Sequence, residues 1–478
     1  MPASPAAALE VEAVAAETVP RRRALGALSF AAAAASGVAL GWGFTVDDAL
    51  ISTRVAHQLA LGRGYRFNPT GPIVDAVTPL GWAHVLAPVA GGSAWQALER
   101  ASAGGATLWV LAAGALGWRC AGLCSGWRLG LSALVLATCL PLGAWASAGM
   151  ETALVMGLGV LALGPGLSGA ACAGIAAAWR PELAPWAAVL AFGQALARRA
   201  SAAERLATLA LALGPALGVA LLRAATFGHP APLAVFAKPS DAAHGLRYAL
   251  GSVLLSGPPF LLLAPRAWRG LPGGLRAIVA ALAVHAIVLA GVGGDWMPLW
   301  RLAMPALPGV LLVGAELLAR SSALAALVRC VPVLACAALL HAERGPAARA
   351  VRDTRERMSR ELAPLLAGAR RVASLDIGWV GAAGDFEVLD LAGVTDPSVA
   401  VLAGGHTSKR LPDDFLERRG PDALVLLESS GPEPAAYARE VERRLARLRG
   451  AQRFARVGRI ELDASQGYAV LRAAPEAP

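Results

Sequence analysis

Between Ala24 and His341 the chain is a succession of apolar runs separated by short breaks that carry arginine. A helix needs about 20 residues to cross a bilayer, and most of these runs approach that length. Eleven are predicted to cross: residues 24–44, 101–118, 129–146, 150–163, 167–179, 183–196, 206–222, 248–263, 277–292, 302–318 and 323–341. One further apolar piece, residues 79–90, is too short and is predicted to lie at the membrane surface. Arg329 falls inside the last run and is expected to snorkel from a tilted helix.

The breaks set an orientation. Arg21, Arg22 and Arg23 precede the first run, and positive residues stay on the cytoplasmic side. Alternating from there, Arg119, Arg128, Arg198, Arg199, Arg205, Arg266, Arg269, Arg276 and Arg320 all fall inside. The first run has no small-residue cleavage site after it, so it reads as an uncleaved span. Residues 1–23, rich in Ala and Glu, are expected to be a disordered cytoplasmic tail.

After residue 342 the pattern changes. Residues 343–478 are polar, with short strand-like runs at 372–375, 387–391 and 422–429. A charged amphipathic helix is predicted at 437–448 and a closing hairpin at 459–471. The fold class expected is therefore mainly α. A transmembrane bundle of residues 24–342 would carry a first external loop at 45–100 and a small extracytoplasmic α/β domain at its end.

Composition agrees with this reading. The 478 residues are 56% hydrophobic and 16% charged, against about 25% charged in ordinary soluble domains. The net charge is +10, nearly all from arginine, since Lys238 and Lys409 are the only lysines. In a polytopic chain that excess orients loops rather than binding nucleic acid. No phosphate-binding glycine loop of either nucleotide-binding type is present. The six cysteines sit in or beside apolar runs and form neither a disulfide framework nor a zinc pattern.

The acidic residues carry more information. Only ten lie between Leu25 and His341. Eight of them (Asp47, Asp48, Asp75, Glu99, Glu151, Glu182, Asp241 and Asp295) fall at the outer face, and only Glu204 and Glu316 at the inner face. Carboxylates contribute little to orientation, so this asymmetry points to a site on the outer side.

Asp47 and Asp48 follow the first span directly, in "FTVDDALISTRV". Thr45 with Asp48 fits a capping pattern that would start a helix here. Ile51, Val55 and Leu59 form its apolar stripe, and Gly62 and Gly64 end it. A cap accounts for Thr45 and one carboxylate; the second is a candidate for chemistry. Asp295, in "GGDWMPLWR", is spaced to pair with Arg301, and Arg180 and Glu182 flank Pro181. Lys238 and an outer arginine are residue types that hold phosphate.

In chain order, "FTVDDALISTRVAHQLALGRGYRFNPTGPIVDAVTPLGW", "ASAGMETAL", "AAWRPEL", "FGHPAPLAVFAKP", "GGDWMPLWRLAMPALP" and "LDIGWVGAAGDFEVLDLAGVTDP" resemble the C-type (GT-C) membrane glycosyltransferases. The resemblance is nearest to the branch of cell-wall terminal arabinofuranosyltransferases. Each fragment is weak alone; the ordered set covers most of the chain. Leu50 and "AVTPLGW" depart from the aromatic residue and the Tyr-Thr-Ser-Pro-Leu-Trp-like run common in the family.

The resemblance implies a polyprenyl-phosphate-sugar donor and a glycan or lipid acceptor. It also implies transfer at the outer face of a bacterial inner membrane. Asp47 and Asp48 would be catalytic, with Asp47 as general base and Asp48 orienting the acceptor or sharing a divalent cation (Mg, Mn or Ca) with it. Lys238, Arg301 and Arg180 would bind the donor phosphate. Arg54, Asp75, Glu151, Glu182 and Asp295 would bind substrate or support the site. The alternatives are a lipid-linked glycan transporter or flippase, and a non-catalytic protein of envelope assembly. A transporter would place its charges along a midplane pathway between related halves.

Overall fold

The computed structural model describes residues 5–429 and 437–474, with side chains from residue 19 onward. The chain is mainly helical and divides into two compact units. The first comprises Met1–Trp42, Ala103–Leu217 and Asp241–Arg349; the second comprises Gly43–Ser102, Gly218–Ser240 and Ala350–Pro478. The expected division at residue 342 is thereby redrawn. The whole first loop, 45–100, and the stretch that holds Lys238 belong with the tail.

Among the described residues, six helices are long and apolar enough to cross a membrane. They are Val19–Gly41, Ala94–Leu123, Ala202–Phe227, Gly273–Gly291, Pro298–Ala319 and Ala323–Leu365. A seventh crossing is available as a pair, Trp127–Thr138 and Leu140–Ala146, bent by 59°. Pro141, in the first turn of the second helix, explains the break, because it has no N–H to continue the ladder. The other four expected spans are shorter helices: Thr152–Ala162, Leu167–Trp179, Ala184–Ala197 and Ala242–Leu255. Residues 79–90 form two short helical pieces, Trp82–Leu86 and Ala87–Val89. The first apolar helix starts at Pro5, so from there the tail expected to be disordered is helical; its Ala and Glu residues favour helix. Residues 1–4 lie outside the described residues.

Small residues let the helices of the first unit approach closely. A Cβ on Gly117 would lie 2.2 Å from the Gly26 carbonyl oxygen, and one on Gly143 would lie 2.0 Å from that of Gly37. Arg329 does not snorkel. It is buried and donates to the carbonyls of Ala325, Leu261 and Leu317 and to the Ser321 hydroxyl. Its charge is met by backbone oxygens inside the protein, which removes the need to reach the interface.

The second unit contains a five-stranded sheet: β1 (Arg371–Ser374), β2 (Glu387–Asp390), β3 (Ala423–Ser429), β4 (Phe454–Glu461) and β5 (Gln466–Ala473). The order is β2-β1-β3-β5-β4. The first three strands are parallel, and β5 pairs antiparallel with β3 and β4. Leu391, Val399, Leu416, Leu424, Leu426, Val441 and Leu445 pack one face of this sheet. Strands β1, β2 and β3 fall where the pattern placed them, while the closing hairpin starts earlier than expected, at Phe454. The helix expected at 437–448 is shorter, Glu440–Leu445, because Tyr437 is drawn into a bridge with Glu428.

Strand β2 is an edge, and the first loop covers it. Asn68 Nδ2 donates to the Val388 carbonyl and its Oδ1 accepts from the Val388 N–H, both at 2.9 Å. The side-chain amide thus stands in for one more strand residue, which blunts an edge that would otherwise be open to pairing.

Candidate functional site

Asp47 opens the helix Asp47–Ala60. The residue before it, Val46, is extended and its own side chain makes no cap hydrogen bond. The helix begins one residue later than the Thr45 capping pattern requires. Thr45 is buried. At the other end Gly62, with φ +69°, turns the chain away.

Both Asp47 carboxylate oxygens accept backbone hydrogen bonds from the tail. Gly378 N–H donates to Oδ2 at 3.0 Å and Trp379 N–H to Oδ1 at 2.6 Å. These amides belong to the first turn of the short helix Ile377–Gly381, which follows β1. Asp47 therefore caps a helix distant in sequence, satisfying donors that its own turn cannot.

Arg54 lies seven residues further along, on the same face, because seven residues make about two turns. Its guanidinium donates to Gly381 O at 2.6 Å, Phe386 O at 2.5 Å, Gly384 O at 3.4 Å and Phe67 O at 3.0 Å. It meets the carbonyl end of the same short helix and sits over the Phe67 ring, 5.1 Å from its centroid. Burial lowers its pKa to about 10. Arg54 is thus committed to backbone carbonyls rather than to substrate. Glycines make the approach possible: a Cβ on Gly378 would lie 2.1 Å from the Asp47 carbonyl oxygen, and one on Gly381 would lie 3.1 Å from Arg54 Nη1.

Beneath Asp47 lies a second carboxylate that sequence reasoning passed over. Asp376, at the end of β1, takes both its oxygens to Arg439 Nη1 at 2.8 Å, and the Tyr468 hydroxyl donates to it. Arg439 also binds Glu442. Burial alone would raise the pKa of Asp376, but Arg439 and Tyr468 outweigh it and hold it below the carboxylate range. Asp47 moves the other way. Burial, then the charge of Asp376, lift it well above that range against the pull of the two amides. Trp379 stacks on Trp95 with centroids 6.0 Å apart, and Arg355 lies over both Trp379 and Tyr468. The signal in the sequence was the Gly378–Gly381 spacing beside a strand-end aspartate.

Asp75 is buried in an ion pair with Arg223 at 2.9 Å, and Arg223 also donates to the carbonyls of Val77 and Thr78. Its role is to hold the loop. Lys238 ends the short helix Leu233–Ala237. It is half-buried, and its ammonium has no hydrogen-bond or ion-pair partner among the described residues. Asp48 is half-buried beside Asp47.

The remaining expected residues gather in the first unit. Arg180 pairs with buried Glu151 and lies 3.8 Å from Glu182. Arg301 Nε and Nη2 both meet Asp295 Oδ2 at 2.8 Å, and the guanidinium lies 5.6 Å from the Trp145 ring centroid. Just before Arg301, Leu299 and Trp300 have left-handed backbones, with φ of 59° and 49°. Two such non-glycine residues in succession cost about 1–3 kcal/mol each and persist only where the surroundings impose them. Here Trp145 Nε1 donates to Leu299 O at 3.0 Å, Leu302 N–H to the Tyr248 hydroxyl at 2.9 Å, and His285 Nε2 to Leu302 O at 2.9 Å.

Each Asp47 oxygen already accepts one backbone N–H. Among the described residues, no group of three or more His, Cys, Asp or Glu side chains is arranged around a common point.

Residues 347–471 match the model of a domain of unknown function, DUF8728. No curated protein and no solved structure matches the chain.

Proposed function

We propose that the chain is a membrane glycosyltransferase. It transfers a sugar from a polyprenyl-phosphate donor to a hydroxyl of an envelope glycan or lipid, at the outer face of a bacterial inner membrane. In this reading the seven available crossings and the four shorter helices make up the eleven-helix bundle. The acidic pair at the start of helix Asp47–Ala60, directly after the first apolar helix, carries the proposal. The ordered resemblance supplies the reaction class.

The two aspartates divide the work. Asp47 holds the Gly378 and Trp379 amides with both oxygens, and in this reading the neighbouring Asp48 takes the role of general base that was expected of Asp47. The acceptor oxygen attacks the anomeric carbon as its proton passes to Asp48. The bond from that carbon to the phosphate oxygen breaks, and the polyprenyl phosphate leaves with the bonding pair. A single displacement inverts the anomeric centre. Lys238, whose ammonium has no partner among the described residues, stabilises the departing phosphate. No step runs through a metal ion.

The test is transfer by the purified full chain in lipid nanodiscs, with labelled polyprenyl-phosphate sugars as donors. The proposal expects glycosylated acceptor from at least one donor and none from Asp48→Asn. Movement of intact lipid-linked sugar across the bilayer without transfer would replace it with the transporter reading.

A further inference from the structure

The short helix Leu233–Ala237 has one covered face and one bare one. Leu233 and Ala237, four residues apart, share a face. Both are buried, and the helix packs against Pro397–Ala400. Val235 and Phe236 lie off that face and are 56% and 43% exposed. Phe236 is braced all the same. Its ring meets His229 edge-on with centroids 5.4 Å apart, His229 stacks on Phe227 at 6.3 Å, and Phe227 lies 6.0 Å from Tyr65. Adjoining exposed apolar side chains rimmed by a polar group mark membrane or ligand contacts.

The polar group here is Lys238. Its backbone N–H closes the helix on the Ala234 carbonyl at 2.9 Å, while its ammonium has no hydrogen-bond or ion-pair partner among the described residues. Positions 235 and 238 are neighbours on a helix surface. A ligand that meets apolar side chains and an unpaired ammonium within one turn has an anionic head joined directly to an apolar chain. A prenyl phosphate has that form, because its phosphate is bonded to the first isoprene unit. One helical turn rises about 5 Å, the scale of one such unit. The stretch also follows the long apolar helix Ala202–Phe227 in the chain, where a membrane crossing would end.

We propose that Val235 and Phe236 bind the first isoprene units of the lipid donor while Lys238 holds its phosphate. This rests on the polyprenyl-phosphate reading above and adds the residues that recognise the lipid chain. The charge selects the phosphate, and the bare apolar pair selects the chain attached to it. The aromatic ladder behind Phe236 keeps its ring in place for that contact.

The experiment is equilibrium binding of radiolabelled undecaprenyl phosphate to the purified full chain in phosphatidylcholine nanodiscs, with unlabelled dioleoyl phosphatidate as competitor. Wild type should bind undecaprenyl phosphate and yield it only to a large excess of phosphatidate. Val235→Ser combined with Phe236→Ser should weaken binding about tenfold, the worth of partly burying two apolar side chains, at an unchanged thermal midpoint. Val235→Leu combined with Phe236→Leu keeps the apolar surface and should bind as wild type does. Lys238→Gln should also weaken binding about tenfold, the scale of one charge-assisted contact. Undiminished binding by the serine variant would overturn the assignment and leave the donor reading standing. So would equally weak binding by the leucine variant, or a lowered midpoint in the serine variant, which would mark a structural role. Competition by phosphatidate at equal concentration would make the surface a general phospholipid contact and overturn it as well. If wild type binds no undecaprenyl phosphate, the donor reading falls and this assignment with it.

Discussion

Asp47 and Arg54 stand two helical turns apart and hold opposite ends of the same five-residue helix. The carboxylate meets the amide end and the guanidinium the carbonyl end. Each charge therefore complements the partial charge of the end it touches. Through this pair, helix Asp47–Ala60 holds the segment that follows β1.

Removing the Asp47 side chain should loosen that segment. Asp47→Ala leaves the Gly378 and Trp379 amides without their acceptor. Hydrogen bonds to a charged group are worth about 1.5–3 kcal/mol each, and relief of the repulsion from Asp376 offsets part of the loss. A net destabilisation of about 2 kcal/mol is expected, read as a lower midpoint in thermal unfolding of the purified chain.

Arg54→Lys should be nearly as harmful as Arg54→Ala. A lysine has one ammonium where the guanidinium reaches four carbonyls in a fixed fork. Both variants should lose about 2–3 kcal/mol, the cost of leaving buried acceptors unmet. Full stability of the lysine variant would show that charge alone is enough.

The two glycines should differ in their tolerance of alanine. At Gly378 a Cβ meets backbone, the Asp47 carbonyl oxygen, which cannot give way without moving the helix. At Gly381 it meets the end of the Arg54 side chain, which can shift by a few tenths of an ångström. Gly378→Ala should therefore destabilise the second unit clearly more than Gly381→Ala, by paired midpoint measurements.

The opposite shifts of Asp47 and Asp376 predict two pH effects of opposite sign. The folded chain raises the pKa of Asp47, so it binds that proton more readily than the unfolded chain does. Stability from this group falls as pH rises from the ordinary carboxylate range through the elevated folded value. The folded chain depresses the pKa of Asp376, so its contribution is present above the ordinary value and is lost as pH falls through the depressed one. The midpoint of wild type relative to that of Asp47→Asn should fall steadily as pH rises through the upper window. A difference that does not change with pH would remove the elevated carboxyl.

Much of the fold was legible from period and length. The apolar runs marked the long apolar helices, and alternation marked β1, β2 and β3, because these signals are local; the charged helix Gly345–Leu365 was missed. Helix lengths in the middle of the bundle were less legible: Pro141 breaks one run, and a hydropathy pattern does not show where a helix stops. The site was readable in its residue types but not in its pairings. Asp295 and Arg301 pair as their spacing allowed, whereas Glu151 pairs with Arg180, which no spacing pointed to. The partners of Asp47 lie more than 300 residues away, and no local pattern reports a carboxylate capping a distant helix. Tyr248, Trp145 and Asp376 gave no period or motif; their meaning comes from what the chain folds against them.

The division of labour between Asp47 and Asp48 is the central claim, and amide hydrogen exchange at residues 376–386 tests it most directly. In Asp47→Ala these amides should exchange at least about tenfold faster than in wild type, equivalent to about 1.4 kcal/mol of lost local stability. In Asp48→Ala they should exchange at the wild-type rate, even though transfer is lost. Unchanged protection in Asp47→Ala, or equal acceleration in both variants, would contradict the account.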